Sequence, residues 1–208
     1  MKKSMLSIML LSTVACGMMA VTVISCGKSK SADAAALPSN EPVITTQNFI
    51  PRGAYLVTVM GCHDCHSPKI MTERGPAPDP ARLLSGHPAQ MPLAKFDTST
   101  TKNWALFNMT GTAVVGPWGA SFAANLTSDQ TGIGAWTLDN FRKAMKEGKS
   151  KGLDGSRPIL PPMPWENFKD LSEEDLSAIF AYLKSTKPVD NVVPRPLTPD
   201  QLGEYYSK

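Results

Sequence analysis

Cysteine and histidine are scarce in this chain: four cysteines and three histidines among 208 residues. Charge is also nearly balanced, with 21 Lys and Arg against 18 Asp and Glu. The basic residues are scattered rather than gathered into a stripe, which argues against nucleic acid as a partner. No βαβ rhythm and no strand alternation compete with the helical patterns, so the fold class expected is all-α. Acid, base and nucleophile are nowhere spaced as an enzyme site needs them.

What is present is concentrated in one run, Cys62-His63-Asp64-Cys65-His66. Two cysteines separated by two residues, with a histidine directly after the second, form the attachment signature of a c-type haem. Each thiol can add to a vinyl group of the porphyrin, and His66 is then placed to meet the iron from the proximal side. Two other readings of the run are weaker. A zinc site would need a second ligand pair, and no cysteine follows Cys65. A redox dithiol would not need His66 and would prefer a strand-helix setting that is absent here. The motif occurs once, so one covalently attached haem c is expected. His63, between the anchoring cysteines, cannot reach the same iron and is expected to face solvent.

The remaining two cysteines lie early in the chain. Lys2 and Lys3 precede an uncharged apolar stretch from Met5 to Ser25, the pattern of an export signal rather than of a fold. Its end, Val23-Ile24-Ser25-Cys26-Gly27, resembles the lipobox of bacterial lipoproteins. Residues 1–25 are therefore read as a signal peptide, with Cys26 as the lipid-bearing residue of the mature chain. Cleavage before Cys16 is the weaker alternative, and an uncleaved single-span anchor or an unlipidated exported form stay open. Removal of residues 1–25 takes two lysines and leaves the mature chain close to neutral. Residues 26–46, rich in Lys, Ser, Ala and Pro, read as a flexible tether.

Residues 47–188 form one domain by size. A short helix from Arg52 to Met60 leads into the motif, with Tyr55, Leu56 and Val59 on its apolar face. A second helix begins after Thr137, carries Leu138, Phe141, Ala144 and Met145 at helical spacing, and stops at Gly148. Met145 on that stripe is read as core. The third is capped by Ser172, has Glu173, Glu174 and Asp175 in its first turn, and buries Leu176, Ile179, Phe180 and Leu183 before ending near Ser185. The Pro-rich stretch from Lys69 to Asp129 is expected to be loop with short helical turns, packed over one haem edge. Residues 189–208 are expected to wrap the surface without adding a core element.

Taken with their order, these motifs resemble the class I cytochromes c. The likeness covers most of residues 50–188: Arg52-Gly53-x-Tyr55-Leu56, Gly61-Cys62-x-x-Cys65-His66, a Pro-rich loop with Met163, and Asp175-Leu176-x-x-Ile179-x-x-Tyr182-Leu183. The stretch Asn125-Leu126-Thr127-x-Asp129 with Thr131-Gly132-x-Gly134-x-Trp136 is similar to the cytochrome subunits of membrane-bound bacterial sugar, alcohol and aldehyde dehydrogenases. Two departures stand out. The interval from His66 to Met163 is longer than in the smallest members, and those subunits often carry three haem motifs where this chain has one.

The resemblance implies a class I cytochrome c fold with an extended loop region between the haem motif and a distal methionine. It also implies that the terminal helix crosses the first one, with Tyr182 and Leu183 at the contact. Met163 is the methionine expected to ligate iron opposite His66: it lies in Leu160-Pro161-Pro162-Met163-Pro164-Trp165, where three prolines stiffen the loop. Trp165 would add an apolar wall. His87, between Gly86 and Pro88, is the alternative distal ligand. For His66, the second ring nitrogen is expected to donate to a backbone carbonyl that fixes the ring's orientation, in a turn that Pro68 helps to shape.

The function implied is that of a mono-haem electron carrier, not an enzyme, anchored to a bacterial membrane through Cys26 and facing the periplasm. Its partners would be a dehydrogenase or quinol-oxidising complex on one side and a soluble cytochrome or terminal oxidase on the other. A haem-based gas or redox sensor, with a weak or absent distal ligand, is the other reading.

Overall fold

The computed structural model describes residues 49–206. The expected signal peptide, the lipidation site at Cys26 and the tether lie outside the described residues. Two helices make the frame. The first, α1 (Phe49–Val59), holds Pro51 in its opening turn, where the missing N–H has no intrahelical partner to lose. Against it crosses the helix Glu173–Ser185, numbered α4 below in chain order. At the crossing a Cβ on Gly53 would lie 2.0 Å from the Ala178 carbonyl oxygen and 2.7 Å from Tyr182 Cβ. Only a residue without a side chain lets the two backbones meet this closely.

That contact sets the rotation of α1. With Gly53 against α4, the residues three and four positions on must also turn inward, and the buried face is Gly53, Leu56 and Val57. The expected stripe of Tyr55, Leu56 and Val59 therefore holds only at Leu56; Tyr55 and Val59 are each 58% exposed. At the rim of the crossing Arg52 Nε donates to Asp175 Oδ1 at 2.9 Å.

Elsewhere the helical frame follows its local signals. Downstream of α1 come α2 (Cys62–His66) and, much later, α3 (Leu138–Glu147). Thr137 and Asn140 form a reciprocal capping box at the start of α3, and Gly148 closes it. In α4, Ser172 Oγ accepts from Asp175 N at 3.0 Å, and three acidic residues fill the first turn, where the helix dipole favours negative charge. The main core gathers Leu56, Val57, Leu84, Ile133, Phe141, Met145, Leu176, Ile179 and Leu183. Met145 is thus a packing residue, and Phe180 packs tilted on Phe141 with ring centres 5.4 Å apart.

The stretch from Lys69 to Asp129 differs from the expected loop with helical turns. It holds a hairpin of β1 (Lys69–Thr72) and β2 (Gly75–Pro78), paired from Lys69↔Pro78 to Thr72↔Gly75. A three-stranded antiparallel sheet follows in the order β3 (Leu106–Phe107), β4 (Ala113–Gly116), β5 (Gly119–Phe122). The prolines of β2 are tolerated because a two-stranded hairpin leaves each strand an open edge. All four residues of β4 are buried, so no alternation marks it. The architecture is mostly helical with this small antiparallel β region added.

Nor does the C-terminal tail merely wrap the surface. Leu197 and Ala120 exchange backbone hydrogen bonds of 2.9 and 3.0 Å, which adds the tail to the sheet. Thr198 and Gln201 then cap each other across the start of α5 (Pro199–Tyr206), with Pro199 at a first helical position that suits it. Leu202 from α5 is 3% exposed and joins Val115 and Ala120 in a second, smaller core. Among the described residues no helix is long and apolar enough to cross a membrane.

Candidate functional site

Gly61, in the left-handed conformation, ends the turn after α1 and starts α2, so the motif folds as one short helix. Cys62 and Cys65 are free thiols, both half-buried. Burial pushes the Cys62 thiol up to about 11 and raises Cys65 as well. Cys62 packs against the main core.

His66 follows on the same turn. Its Nδ1 lies 2.8 Å from the Ala124 carbonyl oxygen. A carbonyl only accepts, so Nδ1 carries the hydrogen and the lone pair is left on Nε2. The ring keeps part of its area open, yet protein atoms crowd it, and this burial lowers its pKa and favours the neutral form. A neutral imidazole with its lone pair on Nε2 is the form that ligates a metal.

The accepting carbonyl comes from far along the chain. Pro68 O takes the Asp79 N–H at 2.7 Å and anchors the hairpin. Ala124 is 58 residues beyond His66 and is delivered by the return of the chain from β5. Between them lies the segment Leu84–His87, which ties the pieces together. Leu84 N donates to the buried Ser67 Oγ, Gly86 N to His66 O at 2.8 Å, and His87 N to Ala123 O at 2.9 Å. Gly86 has φ 76°, and a Cβ there would lie 2.5 Å from Ala123 O and 2.6 Å from Ala124 O. Glycine at 86 is thus required both by its backbone conformation and by its approach to the carbonyl that holds His66. Sequence reasoning did not find Gly86 or Ala124; the only local signal was the Ser85-Gly86-His87 turn.

His87, the alternative candidate, is engaged by other partners. It is fully buried, with Nδ1 2.9 Å from Thr112 Oγ1 and Nε2 3.0 Å from Met91 O. Both ring nitrogens are occupied, and the ring packs beside Phe122 at 4.8 Å. His63 also departs from expectation. Rather than simply facing solvent it is half-buried, with Nδ1 2.9 Å from Ser67 Oγ, and burial lowers its pKa.

Met163 is partly buried and packs against the same core as Cys62. Three hydrogen bonds brace its loop, two from elsewhere in the fold and one within it. Pro161 O accepts from Ser121 Oγ at 2.6 Å, Ile159 N donates to Gly148 O at 2.7 Å, and Trp165 N to Met163 O at 2.9 Å. The indole of Trp165 lies against Gly148, where it seals the end of α3. Two free thiols and a lone-pair-bearing imidazole on one turn, with a thioether on the shared core, make a donor set that fits a haem attached through two thioether bonds.

These features define a class. The Cys62-x-x-Cys65-His66 motif, consistent with a single covalently attached haem c, and the mostly helical frame support a class I cytochrome c identity. Comparison with known proteins agrees. The chain is 35% identical over 91 residues to the fructose dehydrogenase cytochrome subunit of Gluconobacter japonicus, covering 43% of this chain and 18% of that protein. To the gluconate 2-dehydrogenase cytochrome c subunit of Pantoea cypripedii it is 34% identical over 95 residues, covering 42% and 21%. To the cytochrome c subunit of the quinone-dependent alcohol dehydrogenase of Gluconobacter oxydans it is 37% identical over 81 residues, covering 38% and 16%. In each case the matched stretch is about a fifth or less of the relative's length. No family model matches the chain.

Proposed function

We propose that this protein is a mono-haem c-type cytochrome that carries single electrons, not an enzyme. Cys62 and Cys65 would hold the haem through their Sγ atoms, and His66 Nε2 and Met163 Sδ would ligate its iron. Held by these residues, a haem would supply one-electron Fe(II)/Fe(III) chemistry. The chain's own part is to fix the ligands. The observation that carries this reading is the bond from His66 Nδ1 to Ala124 O, which fixes the tautomer and leaves Nε2 available beside the two thiols. The braced Met163 loop supports the distal assignment, because a thioether held in place loses little freedom on binding.

The three relatives are described as cytochrome subunits of dehydrogenases. On that likeness the donor side would be a dehydrogenase or a quinol-oxidising complex, and the acceptor a soluble cytochrome or terminal oxidase. Location outside the cytoplasm, with lipid on Cys26 holding the chain to the membrane, completes the reading. Spectroelectrochemistry of the purified protein tests it. The expected result is one reversible one-electron wave, a low-spin spectrum in both states and no response to CO. A high-spin reduced form that binds CO would contradict the carrier and favour a gas or redox sensor.

A further inference from the structure

Between α4 and α5 the chain passes beside the segment 85–89, and Asn191 there is bonded through every polar atom of its side chain. Nδ2 donates to Ser85 O at 2.6 Å and to His87 O at 2.9 Å, while Oδ1 accepts from Ala89 N at 2.9 Å. Its backbone N–H donates to Thr131 Oγ1 at 2.9 Å. Two donors and one acceptor in a single plane is what a primary amide offers and what Asp or Ala cannot.

The carbonyls gripped are those on either side of Gly86. Gly86 N donates to His66 O, and Gly86 packs against the Ala124 carbonyl that receives the His66 Nδ1–H. The same strand of tail holds the next residue after Ala124: Asn125 Nδ2 donates to Val189 O at 2.8 Å. Residues 189–191 therefore clasp both pieces of backbone that touch His66, without touching His66 themselves.

We propose that Asn191 is a positioning residue for His66. By clamping the Ser85-Gly86-His87 backbone it keeps the Ala124 carbonyl in line with Nδ1, and so sets the orientation and donor strength of the proximal imidazole. The proposal rests on the reading of His66 as an iron ligand. Loss of the amide leaves two carbonyls of buried residues without their partner, and the segment must shift to find another. A weaker bond at Nδ1 makes the imidazole a poorer donor, which favours Fe(II) and raises the reduction potential.

The test uses the full haem-bearing protein. Asn191→Ala is compared with wild type and with Ser172→Ala, which loses the side-chain cap at the start of α4. The readouts are the reduction potential and the solvent exchange of the hyperfine-shifted His66 Nδ1 proton by NMR. Asn191→Ala should raise the potential and speed that exchange by about tenfold or more, while Ser172→Ala moves neither. Asn191→Leu, which keeps the side-chain volume and adds no charge but loses every hydrogen bond of the amide, should shift both readouts in the same direction and stands in if the alanine variant does not mature. Asn191 variants that lose stability yet leave both readouts at wild-type values overturn the proposal. A wild-type protein with no hyperfine-shifted histidine signal overturns the haem reading itself, and this proposal with it.

Discussion

The helical frame and the sheet-and-tail region are built on different principles. In the frame, α3 and α4 each carry their own start signal, stop signal and apolar stripe, and α4 crosses α1 at Gly53. In the other region, β3, β4 and β5 are two to four residues long, and their core depends on Leu202 arriving from the far end of the chain. Local order comes first in one, and long-range closure in the other. His66 sits where they join: its helix belongs to the frame, but the carbonyl that orients it comes from the return out of β5.

The strongest way to break the frame is at its narrowest contact. Gly53→Val places a branched side chain against the Ala178 carbonyl, and overpacking of this kind costs on the order of 3 kcal/mol or more. Thermal unfolding monitored by circular dichroism should show a much lower midpoint, with α1 and α4 lost together; a wild-type midpoint would mean the crossing is not structural.

At the junction, Gly86→Ala combines a left-handed backbone with a Cβ against Ala124 O, a cost of about 2 kcal/mol. It should move the His66 Nδ1 proton resonance as well as the stability. A loss of stability without a change in that signal would separate Gly86 from the site.

Leu202→Ala sharpens the comparison from the other side. It removes a buried side chain from the small core, with an expected loss of about 2 kcal/mol. Hydrogen exchange should speed up in β4 and β5 and stay slow in α1 and α4. Uniform loss of protection would show the two regions to be one cooperative unit.

Smaller still is the N-cap variant Ser172→Ala, expected to lower stability by about 1 kcal/mol in urea unfolding.

The smallest effect is electrostatic. Asp154, between Lys143 and Lys149, has its pKa lowered from 3.8 to about 2 because both ammonium groups hydrogen-bond its carboxylate. Its contribution is therefore present above the ordinary carboxylate pKa and is lost as pH falls through about 2. The gap in urea midpoint between wild type and Asp154→Asn should be small at pH 5, shrink toward pH 2, and shrink with salt. A gap that grows on acidification would contradict the pairing.

The same division explains what could be read from residues alone. The bounds of α3 and α4 follow from Thr137, Gly148, Ser172 and the acidic turn, all short-range signals. The face of α1 was not legible, because its rotation is set by how closely Gly53 approaches Ala178 on a helix far along the chain. β4 lacks alternation because both its faces are buried, so it reads as any short apolar run. The start of α5 was legible in principle, since Thr198-Pro199-Asp200-Gln201 is a capping box with proline at the first helical position, but it stands in a proline-rich tail. Within the site, the motif named its own thiols and imidazole. The Ala124 carbonyl has no signature in sequence, since any residue supplies one and only the path of the chain selects it.

The central claim is that this frame and its braced loop present His66 and Met163 to one iron. The most direct measurement is the absorption spectrum of the oxidised haem protein, with and without Met163→Ala, at the long-wavelength charge-transfer band that reports thioether bound to ferric iron. The account predicts the band in the wild type and its loss in Met163→Ala, with the haem still covalently attached through Cys62 and Cys65. A band that survives the substitution, or is missing from the wild type, would contradict it.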